Sequence, residues 1–455
     1  MQSRQLDEKS VIESYKKRTR GSAALFEKAQ RVSPGGVMAG IKFFPPHPLF
    51  MRKASGSRTW DVDNNEYIDY LMSYGALILG HGHPSIKRAV DSVLQDIGTT
   101  VTGTPTEVEV EYGRMLLDLY NRDGLLRFTN SGLEATLLAV RLARAYTRKR
   151  RVAKFEGHYH GANDQLLVSY KPELAAAGGP DSPKPVSDSM EVDGLQLADS
   201  LVLPFNDWES TERLIRENAG KLSCVILEPF EDGVIPGERA FMTDLRRLTA
   251  DLRIPLIYDE VKTGFRVRLG GASEFYSIVP DITCLGKIIG GGLPVGAVAG
   301  NREIMNLLDP RGAKGATVFH SGTFNGNPLV MSAGMATVET LMSDGKFGRI
   351  VANTDSLKKR FAASLAGHQI QAAVVGEGGM FGYFITAGDV KNYRDAERSD
   401  LRFRRILDLA TICEGVYVKP TGRYSVSLAH SDDDLRLTAE RFEQALDAAC
   451  VPARN

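Results

Sequence analysis

The sequence predicts an α/β protein with a largely parallel sheet in a large domain and a smaller α+β lobe built from both termini. Three observations predict this class. Short apolar segments alternate with helical ones from about residue 80, a small strand-rich segment precedes them, and a strand–helix mixture follows from about residue 335. Apolar strands separated by helices are typical of a parallel sheet covered on both faces. At 455 residues the chain is also too long for a single core.

The first predicted segment, residues 1–75, is an N-terminal arm followed by short strands. Residues 8–32 have helical character, and Pro34-Gly35-Gly36 breaks the helix. A hairpin is expected to turn at Asp63 to Asn65. The DxDxN pattern in this turn is a poor calcium loop, because Glu66 stands at the glycine position and Met72 at the position of the bidentate glutamate.

The large domain is predicted to span residues 76–334, and ligands are expected at the carboxyl ends of its strands. Residues 171–200 are rich in Ala, Gly, Pro, Ser and Asp, which predicts a long surface loop that acts either as a lid or as a disordered excursion without a role. The predicted strands are Leu126–Thr129, Arg151–Phe155, Cys224–Leu227, Leu256–Tyr258, Ile282–Leu285 and Ala297–Ala299.

The C-terminal lobe is predicted to span residues 335–455, and it ends in a helix over Asp432–Ala449. A formal net charge of zero, from 56 basic and 56 acidic residues, argues against binding to nucleic acid or to a membrane surface. Four scattered cysteines without a CxxC pair argue against disulfides and structural zinc. The polar N-terminus and the lack of a long apolar stretch favour a cytoplasmic protein.

A lysine and an aspartate carry the predicted chemistry. Lys287 lies between a buried strand and three glycines, where an unmodified cation is costly to bury. Asp259 ends the preceding predicted strand. Alone, Asp259 is typical of a helix cap and Lys287 of a surface lysine. Together they match a pyridoxal phosphate (PLP) site, in which the lysine holds the cofactor aldehyde as a Schiff base and later moves a proton, while the carboxylate keeps the ring nitrogen protonated.

Three further patterns follow predicted strands. Ser131-Gly132-Leu133-Glu134 opens a helix with a capping-box pattern, and that helix N-terminus is suited to holding a phosphate. Tyr159 could stack on a flat ring, whereas the HxH motifs around it and at His81–His83 lack a third metal ligand. The polar loop Ser321–Pro328 is suited to an anion, although this signal is weak on its own.

These residues together resemble the class III, fold type I PLP aminotransferases, and within them the glutamate-1-semialdehyde aminomutase branch. The runs Asp259–Arg266 and Leu285–Pro294 are the most specific part of a likeness that covers nearly the whole chain. The resemblance implies a homodimer with shared active sites. It implies these cofactor contacts: Lys287 as the Schiff-base lysine, Asp259 on the ring nitrogen, Tyr159 and Val261 on opposite ring faces, Ser131, Gly132 and Leu133 around the phosphate, and Thr323 reaching it from the partner subunit.

The chain departs from this branch around the expected substrate. Leu133 stands where the family has a threonine, and residues 230–233 shorten the stretch that meets the cofactor's phenolic oxygen. The aminomutase run PGGVNSPVR is replaced by residues 34–42, in which the serine is lost and Lys42 stands in place of the arginine. Met38 implies a more apolar pocket, and Lys42 or Arg423 is the candidate clamp for a substrate carboxylate. No metal ligand is assigned.

Two reactions and one non-enzymatic function follow as hypotheses. The leading one is an aminotransferase that moves an amino group from an amino acid, such as a β-amino or D-aryl amino acid, to a keto acid in two half-reactions. The alternative is an intramolecular 2,1-aminomutase acting on glutamate-1-semialdehyde or a relative. A non-catalytic binding or regulatory protein would require a broken lysine or aspartate, and both Lys287 and Asp259 are present.

Overall fold

The computed structural model describes residues 4–190, 197–313 and 315–452. They form two compact units. One comprises the described residues within 1–83, 348–390 and 397–455, and the other comprises those within 84–347 and 391–396. The α/β fold class is confirmed, with a smaller α+β unit drawn from both ends of the chain. The division at residues 75 and 334 stays a prediction, and helix Pro328–Met342 runs across the second of these positions.

A seven-stranded sheet is the centre of the larger unit. All neighbours pair in parallel except Gly296–Gly300, which is antiparallel to both of its neighbours. All six predicted strands are confirmed, and Ser200–Leu203, which follows the predicted loop, is an additional edge strand. Across the sheet the order is Leu125–Thr129, Gly296–Gly300, Ile282–Gly286, Leu256–Asp259, Leu222–Leu227, Arg151–Phe155 and Ser200–Leu203.

Both faces of this sheet are buried, as its nearly continuous apolar strands require. Val225 and Leu227 pack into one apolar cluster, whereas the alternating residues Cys224 and Ile226 pack into another that includes helix Gly132–Thr147. The longer helices of this unit are Pro84–Ser92, Glu107–Tyr120, Gly132–Thr147, Trp208–Asn218, Arg239–Asp251 and Pro328–Met342.

The smaller unit contains a four-stranded and a three-stranded sheet. Trp60 pairs with Glu66 across the predicted hairpin, and the Asp61 carboxylate accepts from the N–H groups of Asp63 and Asn65 in its turn. The strands are Met51–Ser55, Arg58–Asp61, Glu66–Asp69 and Val416–Tyr417 in one sheet, and Ala372–Val375, Met380–Ile385 and Tyr424–Ser425 in the other. The longer helices are Glu8–Arg18, Arg20–Ala29, Lys346–Gly367, Leu401–Cys413 and Asp432–Ala449. Of the helix Lys346–Gly367, the part from Gly348 onward belongs to this unit.

The helical character predicted for residues 8–32 is confirmed over Glu8–Arg18 and Arg20–Ala29, but the helix divides at Thr19. The Thr19 hydroxyl donates to the carbonyl oxygen of Tyr15 at 2.6 Å and lies 2.9 Å from Nε2 of His47. A buried threonine that bonds back to the preceding turn favours such a break. The predicted C-terminal helix Asp432–Ala449 is confirmed with the same bounds.

The segment expected to be a long loop is partly ordered by pairing. Gly178–Gly179 pairs with Ser182–Pro183, and the Asp188 carboxylate accepts from the N–H groups of Tyr170 and Lys171 at 2.6 and 2.9 Å. Residues 191–196 of the predicted loop lie outside the described residues. A lid role for this segment stays a prediction. No helix in the described ranges has the length and apolar character needed to cross a membrane.

Candidate active site

Asp259 and Lys287 lie at the carboxyl ends of two adjacent parallel strands. Asp259 is the last residue of Leu256–Asp259 and pairs in register with Cys284 of Ile282–Gly286. Lys287 follows that second strand directly and has a φ of +50°. A left-handed backbone is uncommon for lysine, and residues held in such sparsely populated conformations cluster at functional sites. The sheet therefore brings the two predicted catalytic side chains to the same edge.

The Asp259 carboxylate is buried and held on both oxygens. Oδ2 lies 2.8 Å from Nδ1 of His160, and Oδ1 accepts from the N–H of Val261 at 3.1 Å. Asp259 is 4% exposed and His160 is 1% exposed. Such contacts fix the carboxylate rotamer. They also make it a suitable partner for a cationic ring nitrogen, since an opposite charge in a buried site favours the protonated ring.

The helix Gly132–Thr147 begins beside these residues. The Ser131 hydroxyl caps it by accepting from the N–H of Glu134 at 3.2 Å. The second half of the predicted capping box is wrong, because the Glu134 carboxylate accepts from the N–H of Asn130 at 2.9 Å. The first N–H groups of a helix have no acceptor within it, so this end is suited to binding a phosphate.

Glycines allow the backbone around this helix end to pack closely. A Cβ on Gly132 would lie 2.8 Å from both Cγ methyl groups of Val261, and one on Gly296 would lie 2.1 Å from the carbonyl oxygen of Ser131. Leu133 packs against Gly161, where a Cβ would lie 2.9 Å from the Leu133 Cβ. The glycines after Lys287 serve a different contact, since a Cβ on Gly291 would meet the Ala333 carbonyl oxygen at 2.6 Å.

Tyr159 is held by a buried ionic group. Its N–H donates to Oε2 of Glu228 at 2.9 Å, and its ring centroid lies 4.8 Å from that of Tyr170. Oε1 of Glu228 pairs with Nζ of Lys262 at 2.7 Å. The Glu228 N–H donates to Nδ1 of His158 at 3.0 Å. Tyr159 is half-buried, and burial raises the pKa of its phenol.

The remaining predicted residues lie elsewhere. Thr323 is exposed in the loop that contains Asn325, whose Oδ1 accepts from Nδ2 of Asn130 at 2.7 Å. Met38 and Lys42 belong to the smaller unit and are exposed there. Arg423 is half-buried in the same unit and donates to the carbonyl oxygen of Tyr74 at 3.0 Å.

Tyr74 connects two of the predicted substrate segments within the smaller unit. Its hydroxyl donates to the carbonyl oxygen of Ile41 at 3.0 Å, while its own carbonyl oxygen accepts from Arg423. Met72, Ser73 and Tyr74 all have positive φ, between 45° and 58°. Three consecutive non-glycine residues with left-handed backbone conformations are strained, and such strain is a feature of functional sites. Sequence reasoning did not identify Tyr74, because nothing in its local pattern indicates the left-handed turn.

The residues around Asp259 fit PLP. The buried carboxylate suits the ring nitrogen, Lys287 supplies an amine at the adjacent strand end, and the glycine-lined helix N-terminus suits the phosphate. His160, Glu228 and Lys262 were not assigned to the site from the sequence. His160 was noticed only as part of an HxH motif, and its partner Asp259 is 99 positions away in the chain.

The sequence model described as Aminotransferase class-III matches residues 44–446. The chain belongs to this family. A glutamate-1-semialdehyde 2,1-aminomutase from Desulforamulus reducens is 39% identical over 448 residues, which cover 96% of this chain and 99% of the relative. An aminomutase with the same description from Methanobrevibacter smithii is also 39% identical, over 94% of this chain and 98% of the relative.

Solved structures extend this likeness. An omega-transaminase from Sphaerobacter thermophilus is 33% identical with a TM-score of 0.89, covering 94% of this chain and 97% of that one. A β-phenylalanine aminotransferase from Variovorax paradoxus is 29% identical with a TM-score of 0.85, covering 98% and 99%. A transaminase solved with PLP bound is 31% identical with a TM-score of 0.85, covering 94% and 97%. The fold type I architecture is confirmed, and the cofactor of this chain is pyridoxal phosphate.

Proposed function

We propose that this chain transfers amino groups at bound PLP, with Lys287 and Asp259 as its catalytic residues. The observation that carries the proposal is the location of these two side chains at the ends of adjacent parallel strands, with the Asp259 carboxylate fixed by His160. When bound, PLP withdraws electrons from the substrate carbon that bears the nitrogen. Lys287 forms the covalent link to the cofactor and then moves a proton between that carbon and C4′.

The other contacts of the cofactor are part of the same proposal. Asp259 keeps the ring nitrogen protonated, while Tyr159 and Val261 cover the two ring faces. Ser131 and the N–H groups of Gly132 and Leu133 hold the phosphate at the helix N-terminus. The close approach of Gly132 to Val261 supports this arrangement, because it brings the helix end proposed to hold the phosphate next to a residue proposed to cover the ring.

Homodimerisation in the cytoplasm also belongs to the proposal. Thr323 is exposed in a loop beside Asn130, which directly precedes the predicted phosphate cap. A second copy would bring its own Thr323 to this region, as the family resemblance implies. The substrates are then small amino and keto compounds, and the active sites are shared between two copies of the chain.

The names of the relatives support the intramolecular aminomutase reaction better than two-substrate transamination. Aminomutases at 39% identity align over nearly the whole chain. Transamination is a second candidate, supported by the loss of the aminomutase serine and arginine from residues 34–42 and by the structural likeness to two proteins named as transaminases. The substitutions would change how a substrate is held while the Asp259–Lys287 chemistry is kept.

One experiment separates the two reactions. The PLP-loaded protein is incubated with glutamate-1-semialdehyde alone, and separately with β-amino and D-aryl amino acids with and without a keto acid. An aminomutase forms 5-aminolevulinate without a second substrate. A transaminase converts the cofactor to pyridoxamine phosphate with the donor alone and turns over only when the keto acid is added. A cofactor spectrum unchanged by every substrate would contradict both reactions.

A further inference from the structure

Lys262 is a buried cation three residues after Asp259. It is 8% exposed, and its Nζ lies 2.7 Å from Oε1 of Glu228 and 2.9 Å from Oδ1 of Asp232. The same ammonium lies 5.7 Å from the centroid of the Tyr159 ring. A lysine is rarely buried this far without paired charges, and here two carboxylates pair with the ammonium group.

Glu228 links the Lys262 ammonium group to the segment that contains Tyr159. Its Oε2 accepts from the N–H of Tyr159, and its own N–H donates to the buried ring of His158. Glu228 is 2% exposed, so its carboxylate depends on protein groups for solvation. The chain Lys262–Glu228–Tyr159 therefore connects the segment after Asp259 to the segment that carries Tyr159.

Acidic groups surround this ion pair, together with the buried cation Lys154. Glu231 is 3% exposed, its Oε2 has no hydrogen-bond partner among the described residues, and burial raises the pKa of its carboxyl well above the usual range. The Glu156 carboxylate forms a bidentate ion pair with the Arg394 guanidinium, with N···O distances of 2.6 and 3.0 Å. Without Lys262, the Glu228 carboxylate would lie near other acidic groups with its strongest partner removed.

We propose that Lys262 is a positioning residue for the cofactor: by pairing with Glu228 it fixes the Tyr159 backbone and so the ring that covers one face of PLP. This inference rests on the proposed function, because it uses Tyr159 as the stacking residue. Lys262 is not required to touch the substrate or the reacting atoms. Its effect is on how tightly and in what orientation the cofactor is held.

The test compares Lys262→Met with Lys262→Arg and with Lys391→Met in the full-length protein. Methionine keeps the length of the side chain and removes its charge, whereas arginine keeps the charge. Lys391 is the matched control, since it is 53% exposed and pairs at 2.8 Å with Glu238 on the same unit. Three quantities are measured without any amino donor: the PLP dissociation constant, the visible circular dichroism per bound cofactor, and the melting temperature of the apoprotein.

We expect Lys262→Met to weaken PLP binding about tenfold, the loss associated with one charge-assisted hydrogen bond. We also expect it to lower the visible dichroism, which reports the orientation of the bound ring. Lys262→Arg should recover most of both, and Lys391→Met should match the wild type. A Lys262→Met protein with wild-type affinity and dichroism would overturn the proposal.

A double variant tests whether Lys262 acts through Glu228. In Lys262→Met/Glu228→Gln the buried carboxylate that pairs with Lys262 is replaced together with the lysine, and the amide oxygen still accepts from Tyr159, so we expect folded protein and binding within about threefold of the wild type. If the double variant binds PLP at least as weakly as Lys262→Met, the proposed connection through Glu228 is overturned. If Lys262→Met does not fold, a double variant that binds PLP about tenfold more weakly than the wild type overturns it in the same way. The measurements of PLP binding, visible dichroism and melting temperature do not require catalytic turnover. A failure of the proposed function would instead appear as wild-type protein that binds PLP but does not react with amino donors.

Discussion

Nδ1 of His160 lies 2.8 Å from Oδ2 of Asp259, and both side chains are almost fully buried. His160 lies in the segment that follows strand Arg151–Phe155, whereas Asp259 is the last residue of strand Leu256–Asp259. The imidazole fixes one carboxylate oxygen while the N–H of Val261 fixes the other. Asp259 is thus held in one orientation, which would reduce the reorganisation needed for the proposed contact with the cofactor's ring nitrogen.

Replacing Asp259 by Asn should lower kcat by roughly a hundredfold or more, because the amide cannot hold the ring nitrogen in its charged form. His160→Leu should have a smaller effect, about tenfold, since the histidine acts by orienting the carboxylate. Steady-state turnover of the PLP-loaded proteins measures both. Asp244→Asn, at an exposed pair with Arg247, is the control. Wild-type kcat in Asp259→Asn would contradict the assigned role.

Gly132→Ala should impair cofactor binding because the new Cβ would lie 2.8 Å from both methyl groups of Val261. Val261 is β-branched and has little freedom to move away, so we expect overpacking that costs about 1–3 kcal/mol. The PLP dissociation constant and the melting temperature measure the effect. Gly220→Ala is the matched control, because a Cβ there meets nothing within 4 Å. Equal behaviour of the two variants would contradict the close packing at the helix end.

Acid should destabilise the fold through His430. This ring is buried, stacks on Tyr70 at 4.3 Å, and accepts at Nδ1 from the N–H of Ser427. Burial lowers its pKa from 6.5 to about 4. Between these values the unfolded chain binds a proton that the folded chain does not, so stability falls as the pH falls from 6.5 towards 4, by up to about 1.4 kcal/mol per pH unit.

The measurement is the unfolding free energy of the wild type and of His430→Gln across this pH range. Glutamine does not titrate, so the stability of the wild type relative to the variant should decrease as the pH is lowered. A difference between the two proteins that stays constant from pH 6.5 to 4 would contradict a buried neutral histidine.

Arg423 should determine how well a substrate carboxylate is bound. Arg423→Gln is expected to raise KM about tenfold with a smaller change in kcat, because it removes a charged clamp that acts in binding. Lys42→Gln is the parallel test of the second candidate clamp. Steady-state kinetics with the substrate found in the donor experiment measures both. If neither variant changes KM, neither residue is the carboxylate clamp.

The sequence predicted best what depends on local pattern. Strand Arg151–Phe155 and helix Asp432–Ala449 have the predicted bounds, and Asp259 and Lys287 stand at strand ends as expected. It failed where the decisive contact comes from elsewhere in the chain. At the helix break, Thr19 contacts both Tyr15, four positions back, and His47, 28 positions away, and the second contact has no local sequence signal.

The surroundings of the predicted site residues were missed for the same reason. Glu228 is 69 positions from Tyr159, yet its carboxylate holds the Tyr159 backbone. Lys262 was read only as part of the run after Asp259, although its ammonium pairs with Glu228. Such pairs depend on the order of strands in the sheet, which local periodicity does not specify.

The most direct test of the central claim is to locate the covalent bond to the cofactor. Reduction of the PLP-loaded protein with borohydride, followed by peptide mass spectrometry, should find the phosphopyridoxyl mass on Lys287. Lys287→Ala should lack that mass, lose turnover by at least about a thousandfold, and keep the melting temperature of a folded protein. A modification on Lys262 or Lys154 in place of Lys287, or full turnover in Lys287→Ala, would contradict the account.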